Sequence, residues 1–324
     1  MASDVFKLDA LDKRIIAALE KDSRQSNKAI ARSVSANEHI VAYRIQRFFQ
    51  LGIVKKIYCI IARGVLFPVG YRVFLRFQSL SPEKEALLAK RATECKYTNW
   101  VVACRGHWDM IITMFVNDPA HFMRIFSGIT SGFEDFIQEK EILSYLEMID
   151  FNRTHLYKGE PCEMVEYDGK FRKKDVDSLD IMILEQLSTN SRLPLIEMAA
   201  KFKVSPDTIR NRIKKLEDDK VILGHGVLFD LPKIGLSYSN VLLTLKNLTR
   251  EREKALKNFA LQHPNIIFWI KAIGAYDLAL ELEIEESKLD DFVTELRNKF
   301  GDVIKNLEVL SIRKEFKYTY LTQK

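Results

Sequence analysis

The chain repeats itself, and the repeat restricts its folds more than any single motif does. Asp9-Ala10-Leu11-Asp12 faces Asp177-Ser178-Leu179-Asp180, a shift of 168 positions, and no gap is needed to pair Ser23-Arg24 with Ser191-Arg192, Ala31 with Ala199 and Arg44-Ile45 with Arg212-Ile213. Farther on, Gly106-His107-Trp108-Asp109 faces Gly274-Ala275-Tyr276-Asp277 at the same shift, and Glu141-Ile142-Leu143-Ser144 answers Glu308-Val309-Leu310-Ser311 at 167. One long unit is present twice, which excludes a solenoid of short modules. With 324 residues, the chain also exceeds the roughly 100–200 residues of one ordinary core.

Each copy opens with an amphipathic helix: Leu11, Ile15, Ala18 and Leu19 recur at helical spacing, as do Leu179, Ile183, Leu184 and Leu187. A short second helix follows (Ile30, Ala31, Val34; Met198, Ala199, Phe202), then a third (Val41, Ile45, Phe48; Ile209, Ile213, Leu216). Three short helices in this order predict a helix-turn-helix fold. Ser205-Pro206 supplies a hydroxyl N-cap and a proline at the first helical position, and Asn37-Glu38 a cap and an acid for the helix dipole. Ser35 and Lys203 stand where the turn often uses glycine, at about 1 kcal/mol each if the backbone there is left-handed.

The rest of each copy reads strand, helix, strand, strand, helix, strand, a ferredoxin-like α+β unit with the Gly-x-aromatic-Asp tetrapeptide at the hairpin of its middle strands. Between the copies, residues 152–175 carry the turn chemistry of Lys158-Gly159-Glu160-Pro161 and Asp168-Gly169. This linker has two readings: a disordered tail, or an extended strand packed through Tyr157, Met164, Val165, Tyr167 and Phe171.

A rotation of about 100° per residue identifies the side chains opposite the buried stripe of each third helix. In the second copy they are Asp207, Arg210, Asn211, Lys214 and Lys215, and in the first His39, Tyr43, Gln46 and Arg47. Arg, Lys, Asn and Gln hydrogen-bond base edges and phosphates in a major groove, so these residues, with Ser205 and Thr208 at the helix start, form the candidate DNA-binding set. A merely solvated face is the bland alternative, and the twofold helix-turn-helix pattern argues against it. Arg44 and Arg212 also belong to the candidate set, lying on the flank and able either to reach a phosphate or to pair with a first-helix acid, Asp12 or Asp180; Arg24 and Arg192, outside the set, have the same two options.

Fifty Lys and Arg against 44 Asp and Glu give a formal net charge of only +6. Its distribution says more: residues 7–63 hold twelve cations and five acids, a surplus of +7, and residues 172–226 eleven and nine, a surplus of +2. The first helical domain is the stronger electrostatic candidate, the second the better-capped reader of bases. Four scattered cysteines, Cys59, Cys95, Cys104 and Cys162, argue against a disulfide framework or a zinc ribbon. The acidic stretch Met1–Asp12 has no apolar core, and no run reaches the roughly 20 apolar residues of a membrane span, so a cytoplasmic protein is expected.

The Leu-Asp-x-x-Ile openings, Ser-Arg before the second helix, Ser205-Pro206 and the Gly-x-[Trp/Tyr]-Asp turn, in this order and twice over, resemble the Lrp/AsnC family of leucine-responsive or feast/famine transcription regulators. That resemblance implies a winged or plain helix-turn-helix followed by an effector-binding α+β domain that dimerises through its sheets, with amino acids as the commonest effectors. The expected fold class is α+β, with two winged-helix-like DNA-binding domains (1–63 and 176–230) alternating with two ferredoxin-like α/β-sandwich domains of RAM/AsnC type (64–151 and 231–324). Since members usually carry one unit, the chain resembles a dimer fused into one polypeptide, a pseudo-dimer able to associate further through its sheets. His39-Ile40-Val41-Ala42-Tyr43 differs from Asp207-Thr208-Ile209-Arg210-Asn211, so unequal half-sites are expected.

The family's effector pocket around the hairpin makes Gly106, Trp108, Asp109, Gly274, Tyr276 and Asp277 pocket candidates, against the plainer readings of turn glycines, capping aspartates and packing aromatics. No metal or cofactor motif is present, and Gly224-His225-Gly226 lacks the rest of a dinucleotide fingerprint. Cys104, near His107, lies in an apolar strand and reads as core. A regulator that is not an enzyme is therefore expected, with double-stranded DNA as partner. Two alternatives stand beside it: a siroheme decarboxylase-like enzyme, whose family shares this two-part architecture and relies on histidine and arginine, which Cys104-Arg105-Gly106-His107-Trp108 offers and its counterpart Ile273-Gly274-Ala275-Tyr276 lacks, and an architectural protein binding DNA without sequence preference.

Overall fold

The computed structural model describes residues 5–157, 159–169 and 174–321. The start at Met1–Asp4, Lys158 of the linker turn and Phe171 lie outside the described residues. The first copy runs α1 (Ala10–Lys21), α2 (Asn27–Ser33), α3 (Glu38–Gln50), β1 (Val54–Ile61), β2 (Val69–Phe77), α4 (Pro82–Glu94), β3 (Thr98–Arg105), β4 (Met110–Val116), α5 (Pro119–Thr130) and β5 (Ile137–Phe151). A short strand, β6 (Glu163–Tyr167), precedes the second copy, which runs α6 (Ser178–Thr189), α7 (Leu195–Phe202), α8 (Pro206–Asp218), β7 (Ile222–Phe229), β8 (Ser237–Leu245), α9 (Arg250–Gln262), β9 (Ile266–Ile273), β10 (Leu278–Ile284), α10 (Leu289–Phe300) and β11 (Ile304–Tyr318). No described helix is long and apolar enough to cross a membrane. The chain divides into two compact units, one gathering both three-helix segments with β1 and β7, the other gathering both sheet halves.

In the helical unit, β1 and β7 form an antiparallel ribbon in which Ile57 faces Val227, Tyr58 faces Gly226 and Cys59 faces His225. Each strand packs against the first helix of the opposite copy, β7 on α1 and β1 on α6. Arg24 donates to the Ser191 carbonyl at 2.8 Å and Arg192 to the Gln25 carbonyl at 2.6 Å, while the buried hydroxyls of Ser23 and Ser191 meet at 3.2 Å. The Ser-Arg pairs thus join the two copies across a local twofold axis, the internal one of their two options. Ser35 and Lys203 both adopt the left-handed backbone, at φ 53° and 57°.

In the sheet unit, eight antiparallel strands close on themselves in the order β5-β2-β4-β3-β11-β8-β10-β9 and back to β5, with β6 added on β5. Closure comes from β5 and β11, each fifteen residues long. Residues 137–144 of β5 pair with β2 of its own copy and 144–150 with β9 of the other; β11 does the same with β8 and then β3. Period-two alternation sends Phe74, Val102, Ile111, Leu242, Ile270 and Leu310 into one shared interior. The opposite faces, with Val73, Leu75 and Ile112 in one copy and Val241, Leu243 and Leu280 in the other, are covered separately by α4 with α5 and by α9 with α10. β6 gives the linker its packed form: Tyr167 donates to the Pro68 carbonyl at 2.8 Å, and buried Glu166 binds Arg63 at 2.7 Å and accepts from Tyr320 at 2.6 Å.

An ion pair lies deep in the shared interior. Arg72 is 2% exposed, bonds Glu281 at 2.6 Å, and donates to the Tyr145 hydroxyl at 2.9 Å and to Asn240 Oδ1 at 3.2 Å. Burial pulls its guanidinium down, but Tyr145 and Glu281 outweigh this and hold it above the ordinary arginine value. Removing one partner of such a pair leaves the other charge buried and alone. Arg72→Ala should therefore cost about 3–5 kcal/mol, and Arg72→Met with Glu281→Leu should restore most of it. All three tryptophans lie in the sheet unit, so intrinsic fluorescence in a urea titration reads this transition directly.

Candidate nucleic-acid interface

Both third helices are anchored before anything touches their outer faces. Asp9 caps α1 by accepting from Leu11 N at 2.9 Å and Asp12 N at 2.8 Å, and Asp12 returns the bond to Asp9 N at 3.1 Å. Arg44, on α3, closes over both carboxylates at 2.7 and 2.9 Å. The second copy repeats the device with Asp177, Asp180 and Arg212, at 2.5 and 3.3 Å. Arg44 and Arg212, placed in the DNA-binding set, thus take the internal partner of their two options and fix α3 and α8 to the start of their own domains. The backbone N–H of Asp12 or Asp180, by hydrogen-bonding to the Asp9 or Asp177 carboxylate, holds it below the ordinary range; burial opposes this and the arginine adds to it.

Of the remaining candidates, His39, Tyr43, Gln46, Ser205, Asp207, Arg210, Asn211, Lys214 and Lys215 are exposed, and Arg47 and Thr208 half-buried. Ser205 caps α8 by accepting from Thr208 N at 3.1 Å, and Arg47 lies over the Phe6 ring at 5.0 Å. Asp207 and Arg210 form an ion pair on the open face of α8. Ile40, which polarity alone passes over, shares the open face of α3: 46% of it is exposed, beside Tyr43 at 60%.

The effector candidates are not brought together. Trp108 and Tyr276 are buried and face each other, Trp108 Nε1 donating to the Tyr276 hydroxyl at 2.9 Å and Tyr276 to Glu308 at 2.6 Å, so both pack the interior. Asp109 and Asp277 are capping groups that accept from Phe77 N and Leu245 N, each at 2.7 Å. Gly106 and Gly274 have φ of 135° and 149°, and a Cβ on either would meet the backbone of the other copy's last strand at 2.9 Å. Gly274 and Asp277 alone of the six border a cavity of about 320 Å³, with Trp269, Lys271, Leu245 and Asn247 among its other walls. Its lining comes from five separate elements, β5, β8, α9, β9 and β10, so no local motif announces it. Cys104 is buried, its thiol pushed up to about 12 by burial.

Two helix-turn-helix domains with outward third helices, paired through a ribbon and accompanied by a closed double ferredoxin-like sheet, define the structural class. An AsnC-type helix-turn-helix domain model matches residues 8–48 and 176–217. The HTH-type transcriptional regulator LrpC of Bacillus subtilis is 32% identical over 120 residues, 36% of this chain and 81% of the relative. Regulatory protein AsnC of Haemophilus influenzae is 35% identical over 83 residues, 26% of this chain and 55% of the relative. The solved siroheme decarboxylase NirDL shares the fold over 97% of this chain and 94% of its own, with a TM-score of 0.63 at 12% identity. The chain belongs to the Lrp/AsnC family.

One buried group under the second recognition helix makes the helical unit sensitive to acid. His225, in the ribbon, is 7% exposed, with no hydrogen-bond partner on either ring nitrogen and Glu217 at 3.7 Å. Burial lowers its imidazole to about 4, with Asp22 opposing and Arg24 adding. Since the unfolded chain protonates near the usual 6.5, the unfolded state takes up more protons in between, so this stability is present above pH 6.5 and lost as pH falls towards 4. His225→Ile, which installs the residue at the matching position of the first copy, Ile57, should remove that part of the pH dependence. Far-UV circular dichroism melts between pH 4 and 7 would show it.

Proposed function

We propose that the chain is a sequence-specific DNA-binding transcription regulator, a fused pseudo-dimer acting in the cytoplasm and modulated by a small molecule such as an amino acid. The observation that carries this reading is the pair of capped, anchored third helices with exposed faces of His39, Tyr43 and Gln46 in one copy and Arg210, Asn211, Lys214 and Lys215 in the other. Fusion makes the second helix-turn-helix available at an effective concentration that does not depend on protein concentration. The +7 surplus of the first domain suits salt-sensitive attraction, and the longer polar face of α8 suits base reading. The cavity beside Gly274 and Asp277 supports an effector site in the second sheet half, and exposed Ile273 near it supports further association through the sheets. An architectural protein would instead bind operator and random duplexes alike.

A second reading, a siroheme decarboxylase-like enzyme, is favoured by the whole-chain likeness to NirDL, which was also solved with an iron-uroporphyrin III analogue. At 12% identity the likeness is one of fold. His107 on the hairpin is paired with Glu139 at 3.1 Å.

Selection from random duplexes, with and without an amino-acid mixture, separates these readings. The regulator selects a non-palindromic site, and its affinity falls linearly with log salt. Lys214→Ala should reduce that slope by about one, and Asn211→Ala should cost about 1–3 kcal/mol at the selected site. A perfect inverted repeat, or unchanged affinity in both variants, would contradict the proposal. A Soret-region shift on tetrapyrrole titration would favour the enzyme.

A further inference from the structure

The two third helices are built from different recognition chemistry, and the difference specifies the duplex that fits them. Among the described arginines of the second helix-turn-helix, Arg212 is closed over Asp177 and Asp180, and Arg192 is turned inward onto Gln25 and Asn27. Arg210 remains on the outer face, one turn into α8, its side chain 61% exposed and paired with Asp207 one turn earlier. In a helix-turn-helix the first turns of the recognition helix meet the base edges. A carboxylate there faces the phosphates' own charge, so its presence is costly unless it does something specific. Here it holds the guanidinium, and a planar guanidinium held at that place presents the fork that matches guanine O6 and N7.

The first copy cannot do this. Its residue matching Arg210 is Ala42, and the residues matching Thr208 and Asn211 are Ile40 and Tyr43, both open to solvent. Arg44 is tied to Asp9 and Asp12, and Arg47 lies half-buried over Phe6. An apolar pair at that place on a major-groove helix meets the one apolar group the groove offers, the thymine methyl.

We infer that Arg210, positioned by Asp207, reads a guanine in one half-site, and that Ile40 and Tyr43 read thymine methyl groups in the other. The inference rests on the DNA-binding reading above and adds the base code. The test is selection from random duplexes by the full chain, followed by equilibrium binding at fixed salt, for wild type, Arg210→Ala, Arg210→Lys, Asp207→Ala and the double variant Ile40→Thr with Tyr43→Asn. Wild type should prefer guanine at one position by roughly ten- to hundredfold over other bases. Arg210→Ala should lose that preference, Arg210→Lys should keep affinity but not discrimination, and Asp207→Ala should weaken discrimination while tightening binding to random duplex, because it removes a carboxylate that faces the phosphates. The double variant should lose only the preference for thymine in the other half. These side chains are exposed, so matching melting curves will show that the fold is retained. The inference is overturned if Arg210→Ala keeps the same guanine preference, or if wild type selects two identical half-sites. Absence of any duplex binding by wild type at low salt would instead remove the DNA-binding reading itself, and this inference with it.

Discussion

The sheet unit depends on two strands doing double duty. β5 and β11 are each long enough to complete their own ferredoxin-like half and then to continue as the edge partner of the other half. An isolated half would end in unpaired edges and an uncovered apolar face, and both defects disappear when the ring closes. Gly106 and Gly274 belong to the same constraint, because the hairpins that carry them lie too close to the partner strands for a Cβ. The interior is therefore a joint property of the two copies, and the helix-covered outer cores are shared at their edges, where Ile149 and Phe151 of β5 enter the core under α9 and α10 and Phe316 of β11 packs on the core under α4 and α5.

A closed, twofold frame also explains where the two copies have diverged. Positions 168 apart touch at Arg72 and Asn240 and at Trp108 and Tyr276. In a symmetric dimer each such residue would meet its own copy, and Arg72 would face a second buried guanidinium. One covalent chain is free of that restriction. It can place arginine on one side, asparagine on the other, and Glu281 where the first copy has Thr113. The buried pair then matches unlike halves, which makes pairing of unlike halves the arrangement with balanced charge.

What could be read from the residues follows the range of the physics involved. Helical periodicity, N-caps and turn glycines are local, so α1 to α3, α6 to α8, the caps at Asn37 and Ser205 and the hairpins at Gly106 and Gly274 were all legible. Ring closure was not, because nothing within β5 records that its second half pairs with β9. Nor was the partner of Arg44, since a flanking arginine reaches a phosphate or an acid equally well on a helical wheel, and only the position of the Asp9–Asp12 capping box decides. Trp108 and Tyr276 stay ambiguous in the sequence because a hairpin aromatic reads the same whether it faces a ligand or its own counterpart. Arg72 and Asn240 do carry a signal: at matching positions each is a polar residue followed by three apolar ones (Val73-Phe74-Leu75 and Val241-Leu242-Leu243), which is how a buried polar contact on the twofold axis looks in a repeat.

The helical unit uses the same freedom for a different end. Its frame is kept symmetric by residues that recur in both copies: Ser23 and Ser191 on the axis, Arg24 and Arg192 reaching across it, and the Asp–Asp–Arg clasp at each third helix. These groups set where α3 and α8 lie, and none of them is on the outer faces. Those faces have diverged, with Ala42 answering Arg210 and Tyr43 answering Asn211. Conserving the clasp while varying the face holds both helices in equivalent positions and leaves their chemistry independent. A homodimer cannot separate those two requirements, because every change it makes on one recognition helix it makes on both.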